Sequence, residues 1–156
     1  MNLQWNNFAQ FIVITRSIGS EAQQTFLQFQ QDEISLEDVL GIFRTKMTEA
    51  QSQIFALKTE LDASRKCVLG GTRPDKVDIL KSTDFLINKA SDLSAAVEAF
   101  SSLCDWFDRA RSMIDYNYRH VVVTELQLCV TKLRSECECI SKMLSSHVGS
   151  LNSGHL

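Results

Sequence analysis

The stretch "EISLEDVLGIF", residues 33–43, is written as the opening of a helix. Ser35 stands where an N-cap accepts a backbone N–H, and Asp38, three residues on, stands where a carboxylate returns the bond. Ile34 before the cap and Val39 beyond it form a hydrophobic staple. Glu37 and Asp38 put negative charge in the first turn, where the helix dipole favours it. From this start Leu36, Leu40, Phe43, Met47, Ala50, Ile54, Leu57 and Leu61 recur at alternating intervals of four and three. That is a coiled-coil-type seam, and it decides the fold class: the chain packs by helix faces.

The seam stops at "CVLGGTRPD", residues 67–75. Gly70 and Gly71 are expected to supply a left-handed ending, and Thr72 with Asp75 to cap a second helix around Pro74. The reversal makes an antiparallel hairpin. The next helix carries Leu86, Ala90, Leu93, Val97, Phe100, Cys104 and Phe107, continued by Arg111, Ile114 and Tyr118. Beside it runs a second seam of Ala96, Ala99, Leu103, Trp106, Ala110 and Met113. At about 100° per residue the two merge into an apolar arc of roughly 160°, where an outer helix needs only about 100°. This helix is therefore expected to be central, touching two neighbours or one neighbour and a foreign helix. Arg111 is the polar intruder, its stem buried and its head reaching water, with Asp108 and Asp115 in helical reach.

Residues 115–123, "DYNYRHVVV", are the weakest boundary: Asn117 can end a helix and the β-branched Val121–Val123 run lowers helix propensity, yet no Gly or Pro forces a break. Leu126, Val130, Leu133, Cys137, Ile140, Leu144 and His147 then resume the rhythm, and the Gly/Ser-rich end "GSLNSGHL" is expected to fray. At the other terminus Phe8, Phe11, Ile12, Ile14 and Ile18 are apolar on nearly every side, predicting one or two helices kinked at Gly19–Ser20 and buried in the bundle or in a partner. The fold expected is all-α, an elongated antiparallel bundle of three or four helices. It forms one domain over 1–148, with helical segments at 1–31, 35–69, 73–116 and 120–147 and a flexible tail at 149–156.

Composition agrees. A chain of 156 residues with 44% hydrophobic content is a single globular domain, and one proline with six glycines is too few for an all-β fold. The net charge of −3 leaves no basic footprint for nucleic acid. Arg109, Arg111, Arg119 and His120 are diluted by Asp105, Asp108 and Asp115. Five cysteines are an odd number, no secretory signal is evident, and "FAQFIVI" (8–14) is too short to span a bilayer. The thiols are read as reduced and the compartment as cytoplasmic or nuclear.

No chemistry stands out. Cys129, Cys137, Cys139, His120 and His147 lie in one region, but Cys137 and Cys139 point about 200° apart on a helix, so no metal site is expected. No base lies near Cys104 or Cys67 by local spacing, and "LGGTRPDK" lacks the phosphate-loop spacing. Neither an enzyme nor a cofactor is expected. The function expected is protein–protein interaction, as an adaptor, scaffold or structural subunit that is homo- or hetero-oligomeric. Its candidate interface is Phe8, Phe11, Ile12, Phe85, Leu103, Trp106, Ala110, Arg111 and Met113. Within that set Trp106 reads first as core and second as a partner anchor. The alternative is a membrane-surface or lipid-handling bundle using the apolar N-terminal segment, weakened by the lack of a Lys/Arg-rich face.

Overall fold

The computed structural model describes residues 2–113 and 118–153, with side chains from Phe8 to Met113 and from Tyr118 to Asn152. Ile114, Asp115 and Asn117, on which part of the central-helix reading rests, lie outside the described residues, as do 154–156 of the tail. The chain is an all-α bundle of four helices: α1 (Asn2–Gln30), α2 (Leu36–Leu69), α3 (Lys76–Arg109) and α4 (Arg119–Ser153), with a 3₁₀ turn at Arg111–Met113. At 1.5 Å per residue the longer helices are about 50 Å long.

The four form a ring in which α1 packs on α2 and α4, and α3 packs on α2 and α4. Every neighbouring pair is antiparallel. Thr15 meets Ser141 and Phe8 meets His147 across α1–α4, Gln51 meets Ser94 and Arg65 meets Asp84 across α2–α3, and Glu21 meets Lys46 across α1–α2. This is up-down-up-down topology with short connections. α3 touches two neighbours, α2 and α4, as its wide apolar arc predicts, but so does every helix of the ring, and none is more central than another.

The four–three rhythm is buried along most of its length, but Leu36 is half-buried, and Arg111 and Tyr118, beyond the end of α3 at Arg109, are exposed. Leu40, Phe43, Met47, Ala50, Ile54, Leu57 and Leu61 of α2 face the core, and the seam runs on through Ser64 and Val68. Leu86 to Phe107 do the same in α3, and Phe43 and Phe100 stack at 4.8 Å where the two seams meet. In α1 the inward face is Phe8, Phe11, Thr15, Ile18, Ala22, Phe26 and Phe29, while Val13 is exposed. The helix is thus one-sided and runs unbroken through Gly19–Ser20. Gly19 serves close approach instead: a Cβ there would sit 3.3 Å from the Arg134 Cα and the Cys137 Cβ of α4.

The helix ends differ from expectation, each for a physical reason. Ser35 caps α2 as read, accepting from the Asp38 N–H at 3.1 Å, though only this half of the box is formed among the described residues. Gly70 is right-handed, with φ −81°, and α2 closes through its N–H on the Lys66 carbonyl, so no left-handed glycine is used. The left-handed residue is Asp32, φ 59°, after α1. Glu33 N–H reaches the Gln28 carbonyl and Asp32 N–H the Phe29 carbonyl, a Schellman closure built on Asp rather than Gly. Asp75, expected to pair with Thr72 as a cap, makes no side-chain cap bond. Arg73 takes its carboxylate in a two-pronged pair at 2.9 and 3.0 Å.

Arginines from neighbouring segments finish two of the helices. Arg73 donates to the Ser150 and Leu151 carbonyls at the end of α4, and Arg119 donates to the Phe29 carbonyl and the Asp32 carboxylate at the end of α1 while lying 4.8 Å over the Phe29 ring. Both answer the unsatisfied carbonyls and negative dipole of a helix C-terminus. With Leu151 buried and its carbonyl held, α4 continues to Ser153, so the flexible tail expected from residue 149 is helix through 153.

Candidate interaction surface

Four helices in a ring need one apolar stripe each, and α3 carries more than one. Its first seam fills the core. Of the second, Ala96 is buried, Leu103 and Ala110 are half-buried, and Ala99, Trp106 and Met113 are exposed. The expectation that Trp106 is core is corrected: it is 57% exposed, one edge of its indole resting on the buried Phe107 ring at 5.3 Å and 67°. Phe85, about six turns earlier on the same outward stripe, is 60% exposed, and Met113 is 78% exposed. Spacings of seven and fourteen place Phe85, Ala99 and Trp106 along one line of α3, interrupted by Asp92, and Met113 lies past the helix end in the 3₁₀ turn.

The α2-facing flank of that line is charged. Arg44 binds Asp105 and Asp108 at 3.1 Å each, and Arg111 binds Glu37 at 3.1 Å and Asp108 at 3.4 Å. Arg111 keeps its head in water and pairs with Asp108, as its place in the sequence predicts. It ties the end of α3 to the start of α2 on an exposed surface where each pair contributes little alone.

The N-terminal part of the candidate surface lies elsewhere. Phe8 and Phe11 are core residues and Ile12 packs half-buried against the core, so they do not join the α3 stripe. Phe55, 73% exposed on α2, and Leu128, 60% exposed on α4, were missed by pattern reading. Phe55 follows the seam residue Ile54 directly, and a helical wheel would have placed it about 100° off the core.

Among the buried hydroxyls Thr83 bonds to the Ile79 carbonyl of its own helix, and two buried polar atoms have no partner among the described residues. Thr15 and Ser141 share a hydrogen bond of 2.7 Å across α1–α4, and each also contacts a carbonyl of its own helix. His147, 1% exposed, faces Ser82 Oγ through Nδ1 at 2.8 Å and the Phe8 ring edge-on. Its Nε2 has no partner among the described residues, and the same holds for one carboxylate oxygen of Glu136. Burial, and then the charge of Arg73, push the His147 pKa down to about 4, so the ring is neutral at pH 7.

The thiols are all free. Burial pushes Cys104 and Cys137 up to about 12 and Cys129 upward as well, the opposite of an activated nucleophile. Among the described residues no group of three or more His, Cys, Asp or Glu could hold a metal ion, and no helix is long and apolar enough to cross a membrane. No protein-family model, curated protein or solved structure matches the chain.

Proposed function

We propose that this chain is a non-enzymatic protein-interaction module, an adaptor or structural subunit of a larger assembly, that engages partners through apolar helix faces left outside its own core. The observation that carries the reading is the exposed stripe of α3. Its inner seam already supplies the core, so Trp106, Phe85 and Met113 contribute little to the chain's own stability where they stand. Trp, Phe and Met are the residue types enriched at the buried centres of protein interfaces. Five free cysteines, two of them deeply buried, suit a reducing compartment, cytoplasmic or nuclear.

The test is a Trp106→Ser, Met113→Ser double variant purified beside the wild type from cells that express it. Its unfolding free energy is expected to stay within about 0.5 kcal/mol of wild type per site, as for surface positions. A stoichiometric companion, whether a second copy or another protein, is expected to be lost. A variant that keeps the wild type's company refutes the reading.

A further inference from the structure

Two adjoining helices carry exposed apolar side chains at the same end of the rod. On α3, Ser94, Asp105 and Asp108 bond to α2, so Ala99, Leu103 and Trp106, on the other flank, turn outward beside α4. On α4, Arg134 and Ser141 bond to α1, so Leu128, 60% exposed, turns outward beside α3. Burial, and then the nearness of Cys129 across the α3–α4 seam, raise the Cys104 pKa, which sets these two cysteines near each other. Leu103 and Leu128 each stand one residue before their cysteine, and Trp106 lies within a turn of Leu103. Together they make one apolar face across both helices.

Two observations say what covers it. The first is charge. Glu98 and Arg109 stand exposed on the outer side of α3, at equal distances either side of the point between Leu103 and Cys104. Glu125 and Lys132 stand exposed on α4, at equal distances either side of the point between Leu128 and Cys129. None of the four has an ion pair among the described residues, the pairs of α3 and α4 being made by others. Counted from the Ser82–His147 contact, the two midpoints are level to within about 5 Å, inside the reach of these long side chains. A half-turn about an axis crossing both helices at that level exchanges each acid with its base. Glu98 then falls on Arg109 of the other copy and Glu125 on its Lys132, each twice over. A foreign partner needs no such symmetry. The second observation is shape. The same half-turn lays Trp106 over Ala99 and Ser102 of the other copy, small exposed residues that leave room for an indole.

From these, we infer that two copies of this chain pair antiparallel through their α3–α4 faces, about a two-fold axis at the level of Leu103 and Leu128. About 14 Å of α4 separates that level from the helix start at Arg119, so the copies overlap for about 28 Å. Two helices are roughly 20 Å wide, so about 1,100 Å² is covered in all, just over the ~1,000 Å² that a specific interface needs. Phe85, about 28 Å along α3 from the axis, stays outside the overlap. This rests on the interaction reading above and names the partner as a second copy.

The experiment is the solution mass of the whole chain by light scattering, at low salt and at concentrations up to about 0.1 mM, well above a micromolar Kd. Wild type is expected at twice 17.6 kDa. Trp106→Ser is expected to be a monomer with unchanged helix content, and Phe85→Ser a dimer. Glu125→Lys and Lys132→Glu should each weaken pairing at least about tenfold, because the two-fold doubles every reversal. Mixed together, those two variants should pair with one another, since each reversed charge then meets its opposite. A wild type that stays monomeric overturns the proposal and leaves the stripe to a foreign protein. The interaction reading itself falls only if the Trp106→Ser, Met113→Ser variant keeps its companion, so the two failures are told apart. A dimer indifferent to Trp106→Ser forms elsewhere and overturns the proposal as well. A dimer lost on Phe85→Ser, or one whose two charge variants do not prefer each other, has a different geometry, and the antiparallel assignment is wrong.

Discussion

Lowering the pH from neutral should weaken this bundle through one histidine. His147 is buried against Phe8, with Nδ1 on Ser82 and Nε2 unpartnered among the described residues. Protonating it in place would put a charge in the core beside the positive Arg73. Its folded pKa is about 4 against 6.5 for the free ring. Between those values the unfolded chain takes up a proton that the folded chain refuses. Stability therefore falls as pH falls, by about 1.4 kcal/mol per unit. The loss begins near pH 6.5, levels off below pH 4, and totals about 3 kcal/mol. Against the 5–15 kcal/mol typical of a domain, about 3 kcal/mol is readily measured. Urea unfolding of the wild type and His147→Gln at several pH values between about 7 and 4 isolates the effect. Carboxylates such as Asp75, held below the usual carboxylate range by its hydrogen bond to Arg73, titrate in both proteins and cancel. The wild-type curve should drop relative to the variant with the slope of one proton. Parallel curves for the two proteins would refute the burial argument.

Other outcomes follow from the same packing. Ile54→Ala and Leu57→Ala, on the inner line of α2, should each cost roughly 2–5 kcal/mol of unfolding free energy in denaturant titrations, and unchanged midpoints for both would deny that the seam is core. In native protein at pH 8, alkylation followed by mass spectrometry should find Cys67 labelled first. Cys104 and Cys137, buried and with their thiols held protonated by that burial, should stay unlabelled until unfolding, and rapid modification of Cys104 would contradict its burial. A double-mutant cycle of Thr15→Val and Ser141→Ala should show a coupling of about 1 kcal/mol, with the double variant less damaged than the sum of the singles; strict additivity would mean the α1–α4 hydrogen bond contributes nothing.

How legible was this molecule in its sequence? The seams were, because burial along a helix follows from spacing alone. Leu40 through Leu61 are inward residue by residue, and α2 begins one residue after its Ser35 cap. The ends were less so, because what closes them comes from another helix. Arg73 and Arg119 terminate helices far from them in sequence, and no local pattern announces that Asp75 will face Arg73 rather than cap α3. At the tail the signal was present but outweighed: Leu151 continues the interval of four from His147, yet the glycine and serines around it read as fraying. The site was legible in half. The wide arc of α3 correctly marked a surplus of apolar surface. Spacing could not say that a four-membered ring leaves Trp106 outside while drawing Phe8 and Phe11 in.

The central claim is that the outward stripe of α3 meets another protein. Its most direct test is site-specific photocrosslinking in cells that express the chain, with a photoreactive phenylalanine analogue at position 106 and, as a control, at Lys142 on an exposed polar face of α4. A discrete adduct at 106 that is absent at 142 is the result expected. No adduct at 106, or the same diffuse ladder from both positions, would mean that this stripe is simply surface.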